Sequence, residues 1–276
     1  ILLLNTSNSL VVDSLIENGG FGIYILMSSE HSIEHNTIHT AENGIITCGS
    51  NTTILSNTIS DVTIGIEAYS GWQTISENTI FDVKKGILIR SGDHITISDN
   101  KIYSADEGGI VIDHEYGDMS YFKIISNNLT NCGLYISVPL QYVVTYKISD
   151  NKINNNLIPI YINVSNVNLI NYTAIEALII CADNVTILNS SFNSLFLKDI
   201  KSLTISNSSI IDNSPESSGY EYGVYIKNVE NVTIESLKIT NAKIGITIDE
   251  ANVNARFVEI EGRDIGIYLL LNAKLN

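Results

Sequence analysis

Apolar and polar residues alternate along this chain in short bursts, and the bursts recur on a slow clock. The stretch DHITISDNKIYSADEGGIVID, which starts at Asp93, places Ile95 and Ile97, then Ile102, then Ile110 and Ile112 in such bursts. A period of two is strand period, with successive side chains on opposite faces. Asn, Asp, Ser and Gly fill the gaps between bursts, and these residues bend a backbone at low cost. No apolar pattern at i, i+3, i+4, i+7 holds long enough to predict a helix. Each unit reads as about three short strands joined by tight bends.

Two markers set the period. Gly–aliphatic pairs stand at Gly22-Ile23, Gly44-Ile45, Gly65-Ile66, Gly86-Ile87, Gly109-Ile110, Gly133-Leu134, Gly223-Val224, Gly245-Ile246 and Gly266-Ile267. In the first half they step by 21 to 24 residues, a range in which self-similarity predicts a solenoid. Asn36, Asn57, Asn78, Asn100, Asn127 and Asn151 each stand two residues before an Ile or Leu. An inward Asn at a bend can hydrogen-bond backbone groups and the Asn one turn away, so a stacked Asn ladder is expected. In the second half the equivalent positions are Ser190, Ser208 and Leu237, where that ladder stops. Gly at the other bend is expected to supply positive φ. Pro159 takes one such Gly position, which predicts a reshaped corner.

Stacking these units predicts an all-β, single-stranded parallel β-helix of about twelve turns and roughly 55–60 Å at strand spacing. It is read as a single domain over residues 1–276. The chain starts in strand pattern (ILLLNTSNSL) and ends in it (IGIYLLLNAKLN). Solenoids need polar caps, so the expectation is a piece of a longer chain, or ends covered by a partner.

The runs TILSNTI (53–59), TISENTI (74–80) and TISDNKI (96–102), each followed by a Gly–Ile pair, resemble the right-handed parallel β-helix family. More narrowly they resemble the repeat class shared by carbohydrate-acting proteins and the periplasmic NosD-like proteins. The resemblance covers essentially the whole chain. It implies the fold strongly and leaves the function open, because these motifs are packing elements.

Charge narrows the partners. The net charge is −15 with 15 basic residues, so nucleic acid is a poor partner. Lys and Arg form no cluster, and no run of eighteen apolar residues predicts a transmembrane segment. Cys48, Cys132 and Cys181 lie turns apart, beyond disulfide reach, and read as buried thiols. No C-x-x-C suggests zinc, and no cofactor is expected. Nine Asn-x-Ser/Thr sequons, at Asn5, Asn51, Asn128, Asn163, Asn171, Asn184, Asn189, Asn207 and Asn231, point outside the cell as glycosylation candidates. A composition rich in Ile, Asn, Ser, Thr and Tyr and poor in Lys and Arg resembles exported proteins of thermophilic archaea.

Alternation gives the turn two unlike faces. Before the Asn bend the outward residues are Ser32, Thr53, Thr74, Thr96, Lys123, Lys147, Thr186, Thr204 and Thr233, a polar face. After the Gly bend the outward positions Leu88, Val111, Tyr135, Tyr161, Ile179, Phe196 and Tyr225 make an apolar stripe. Such a stripe is an expected docking or self-assembly surface for protein, or an aromatic platform for glycans.

Extra-long turns are where a solenoid carries function. Asp113-His114-Glu115-Tyr116-Gly117-Asp118 interrupts the rhythm. Asp113-His114-Glu115 resembles the Asp-Pro-His-Glu type motif of the epimerase branch of this class, without its Pro. That resemblance implies His114 as base, Tyr116 as acid and Asp113 orienting or binding Ca²⁺, with Glu115 and Asp118 beside them. Arg90 is the cation in reach of a uronate carboxylate. A solvated acidic loop accounts for the same residues. The insertion Asn213–Tyr220 reads as a plain surface loop. His31, His35 and His39 share a turn; the NosD resemblance points to copper or zinc there, and an exposed His edge is the plainer reading. The chain is thus expected to be an extracellular or cell-surface structural or adhesive β-helix. A polysaccharide lyase or epimerase, or a non-catalytic sugar-binding β-helix, is the alternative.

Overall fold

A computed structural model describes the chain except for residues 139, 144, 155, 158–159, 173–175, 212–221, 263 and 271. The corner at Pro159 and the insertion Asn213–Tyr220 therefore lie outside the described residues. Packing groups the chain into two compact units, the first holding Ile1–Asn155 and the second mainly Asn156–Pro215 and Tyr220–Asn276. Both are stacks of parallel strands with about 11 turns in all.

In the first unit, Leu10–Val12, Ser32–Glu34, Thr53–Leu55, Thr74–Ser76, Thr96–Ser98, Lys123–Ile125 and Lys147–Ser149 form one seven-stranded parallel sheet. The polar face expected there is present, with Ser32, Thr53, Thr74, Thr96, Lys123 and Lys147 in one register. In three successive turns the other two runs join into one long strand, Thr58–Ala68, Thr79–Ile89 and Lys101–Asp113. A single left-handed residue (Asp61, Asp82, Ser104) bends that strand without ending its pairing. Inside, like stacks on like: Ile75 on Ile97, Ile80 on Ile102, Ile87 on Ile110. These isoleucines have no solvent exposure, and each buried side chain contributes about 1.5–3 kcal/mol. The one helix among the described residues is a single turn, Leu140–Val143.

The Asn ladder is continuous through this unit. Asn57 Nδ2 donates to Asn78 Oδ1 at 3.0 Å, Asn78 to Asn100 at 3.0 Å and Asn100 to Asn127 at 2.9 Å. Each Oδ1 also accepts the backbone N–H of the Asn before it. Each Nδ2 donates as well to a carbonyl on the preceding turn, as Asn78 does to Ile54 at 2.9 Å. These amides are buried and fully used.

Glycine serves a different purpose from the one expected. The paired glycines are not left-handed; among the described residues the positive-φ glycines are Gly92, Gly108 and Gly117. The left-handed corners are taken instead by residues such as Ser56, Glu77 and Asp99. At Gly65 an added Cβ would sit 2.6 Å from the Gly86 carbonyl oxygen and 2.6 Å from Ile80 Cγ2. Gly22, Gly44, Gly86 and Gly245 are pressed against the next turn in the same way. Close approach, not backbone freedom, selects Gly there.

In the second unit Ile160–Ile170, Glu176–Leu188, Ser194–Ile211, Tyr222–Thr240 and Ile244–Asp249 stack in parallel. The step shortens: Val167 pairs with Val185 and Val185 with Leu203. The small serines replace Asn, as expected: Ser190 N donates to Ser208 Oγ at 3.2 Å, and Ser208 then stands beside Leu237, which is buried.

Candidate functional site

The acidic loop grows from the end of Lys101–Asp113 and is anchored by Met119, which has no exposure. Glu115 returns to the stack: its N–H donates to the Arg90 carbonyl at 3.0 Å, and its carboxylate lies 3.6 Å from Arg90 Nε. Arg90 Nε also pairs with Glu67 Oε1 at 2.8 Å. That oxygen accepts from the Tyr69 hydroxyl at 2.9 Å. Glu67 is 5% exposed, so its charge is held by these two donors rather than by water.

The other loop groups face elsewhere. His114 Nε2 lies 3.2 Å from the Gly117 carbonyl, and its ring stacks on Tyr142 at 5.4 Å. Asp118 Oδ1 accepts from Ser120 N at 2.9 Å and from Ser120 Oγ at 2.6 Å. Tyr116 is exposed, and its phenol is pushed up by burial and by the Glu115 charge. Tyr69 is pushed up to about 12, first by burial and then by its bond to Glu67. Neither phenol is prepared to lose a proton near neutrality. The structure thus brings Glu115 to Arg90, Glu67 and Tyr69, while Asp113, His114 and Asp118 stay apart from that cluster's bonds. Glu67 and Tyr69 escaped sequence reading because they sit on a neighbouring turn; only the register shows them beside Arg90.

The apolar stripe differs from its expectation in both units. In the first, Leu88 and Val111 do point outward in register with Glu67 and Tyr135, yet Leu88 is 0% and Val111 4% exposed. Leu88 stands in register between buried Glu67 and Val111; Tyr135 alone of the three is exposed. In the second unit, Tyr161 and Ile179 pair with Leu197, whose column runs on through Ile226 and Ile248 into the core. Ile179 is fully buried and Tyr161 packs against that core. The outward column is Leu178, Phe196, Tyr225, Thr247 and Tyr268. The marker was misread by one residue where the Gly pair is absent and the step shortens. Phe196 and Tyr225 stack at 5.2 Å, so each ring covers a face of the other. Tyr225 also donates to Asp249 at 3.2 Å, and Lys227 pairs with the same carboxylate at 2.8 Å.

Among the sequons, Asn5, Asn51, Asn171, Asn184, Asn189, Asn207 and Asn231 are exposed. Asn128 is half-buried, with its Oδ1 shielded from solvent; the side chain of Asn163 lies outside the described residues. The three cysteines are thiols. Cys132 is buried, while Cys48 and Cys181 are half-buried, less deeply than expected. Burial pushes the Cys48 thiol up. An open groove of about 360 Å³ lined by Val62, Asp82, Lys84 and Asp106 holds none of the predicted residues.

Comparison with known proteins gives one family match, over the first part of the chain. Residues 1–131 match the family described as periplasmic copper-binding protein (NosD). No curated protein matches the chain. Among solved structures, an alginate lyase from Paenibacillus sp. str. FPU-7 is similar at 12% identity, with a TM-score of 0.39. The alignment covers 95% of this chain and 99% of that one. Among the described residues no three His, Cys, Asp or Glu side chains are grouped to hold an ion. Within the NosD-matching part, the three candidate histidines diverge. His31 is buried, its Nδ1 accepting the Ser9 N–H at 3.1 Å; His35 is exposed at a corner; His39 Nε2 pairs with Glu17 at 2.8 Å. Among the described residues no helix is long and apolar enough to cross a membrane.

Proposed function

We propose that this chain is an extracellular or cell-surface β-helix with a structural or adhesive role, acting through its surface and not through turnover. The observation that carries this reading is the state of the acidic loop. Arg90 is shared between two carboxylates, His114 is turned to a carbonyl and a ring, and Asp118 is occupied by Ser120. A lyase or epimerase needs a base beside an unpaired cation that receives the substrate carboxylate, and Arg90, the cation of this corner, is already held by two carboxylates. The Asn ladder and the stacked isoleucines instead build a regular scaffold. The periplasmic description of the NosD family supports a place outside the cytoplasm, and the exposed sequons suit a surface glycoprotein. Protein partners or further copies would dock at exposed outward positions such as Tyr135. The test is incubation with alginate, polygalacturonate and neutral polysaccharides, with and without Ca²⁺, read by product release. No product is expected. Product formed by the wild type and lost in His114→Ala or Glu115→Gln would establish the enzyme reading instead.

A further inference from the structure

One corner of the first unit carries a residue per turn in the left-handed conformation: Asn8 (φ 53°), Glu30 (60°), Asn51 (55°), Trp72 (59°), His94 (53°) and Tyr121 (61°). Backbone bonds fix their register. The N–H groups of Glu30, Asn51, Trp72 and His94 donate to the carbonyls of Ser50, Gly71, Asp93 and Ser120. Each acceptor is the residue just before the next member, so the six positions form one column. Left-handed corners recur throughout this stack, and in this column three successive ones carry rings.

The three rings form a ladder. Trp72 and His94 are parallel within 3° at 4.2 Å, and His94 meets Tyr121 at 4.8 Å. Asp93 Oδ2 holds His94 Nδ1 at 2.7 Å and fixes the middle ring. A ring face covered by another ring cannot take a ligand. One face of the Trp72 indole is covered in this way, yet Trp72 is 57% exposed. That exposure belongs to its edge and to the opposite face, the one turned toward Asn51. The Asn51 carboxamide is exposed one turn away on that side, while the Asp93 carboxylate stays with His94 behind the covered face.

We propose that the open face of Trp72 is a pyranose-stacking site. A flat indole with an amide beside it takes the C–H face of a sugar ring while the amide bonds its hydroxyls. The net charge of −15 favours a neutral sugar over a uronate. The sugar has two possible sources. Asn51-Thr52-Thr53 is a sequon, so a glycan on Asn51 would start beside this face; the other source is a glycan on another molecule. Only the first source rests on the surface-glycoprotein reading.

Trp72 is the single tryptophan of the chain, so its fluorescence reports this site alone. In one arm the full chain, made without glycosylation, is titrated with pentasaccharides of β-1,4-glucose, β-1,4-N-acetylglucosamine and α-1,6-mannose. A saturable blue shift assigns the site to a free glycan. In the other arm, natively produced wild type is compared with Asn51→Gln; emission at shorter wavelength in the wild type assigns it to the chain's own glycan. For a free glycan, saturation-transfer NMR on Trp72→Ala is expected to show affinity lowered roughly two- to tenfold. Emission unchanged in both arms overturns the proposal. So does pentasaccharide binding that Trp72→Ala leaves intact.

Discussion

A single methyl group separates the two accounts of glycine in this chain. If close approach selects Gly65, then Gly65→Ala forces its Cβ against the Gly86 carbonyl and Ile80. A loss of about 2–4 kcal/mol in urea unfolding is expected. Gly266→Ala, with nothing within 4 Å of its added Cβ, should leave stability within about 0.5 kcal/mol. The Asn ladder makes a parallel case. Asn78→Leu strips buried bonds from Asn57, Ile54 and Asn100 and should cost at least about 3 kcal/mol. The Asn role was legible because its hydrogen-bonding chemistry follows from residue type and spacing. The Gly role was not, because φ and close approach both leave the same letter in the sequence. Tyr69 gives the pH test. Its phenol ionises near 10 when unfolded and near 12 when folded. Between those values the unfolded state binds fewer protons, so this group's share of stability, intact below pH 10, is lost as pH rises toward 12. Tyr69→Phe should therefore show a shallower fall of stability across that window.

At the scale of elements, the strand Thr79–Ile89 and the loop after Asp113 are tied through the side chain that follows the strand, Arg90. Removing that cation leaves Glu67 buried and unpaired, so Arg90→Gln should cost about 2–4 kcal/mol. Glu115→Gln, at the exposed end of the same chain of charges, should cost less than about 1 kcal/mol. Equal losses in chemical unfolding would mean that Glu67 does not depend on Arg90. Strand period and turn chemistry were enough to read the parallel stack and its polar face. Register was harder: Tyr161 and Ile179 went to the wrong column because no Gly pair marks the turns between Gly133 and Gly223, and the step there shortens. The aromatic corner was missed for another reason. Trp72, His94 and Tyr121 share no motif, and only the left-handed backbone column brings their rings together.

At the scale of the molecule, a net charge of −15 makes nucleic acid a poor partner but does not choose a surface. The structure narrows that choice by burying Leu88, Val111 and Ile179 and leaving Tyr135 and the Trp72 corner open. The functional reading then depends on contact with something outside the chain. Its most direct test is co-sedimentation of the purified, folded chain with cell envelopes of the producing organism. The account expects saturable retention, reduced several-fold by Tyr135→Lys at unchanged unfolding midpoint. A chain that stays in the supernatant at every concentration, wild type and variant alike, would contradict the adhesive role.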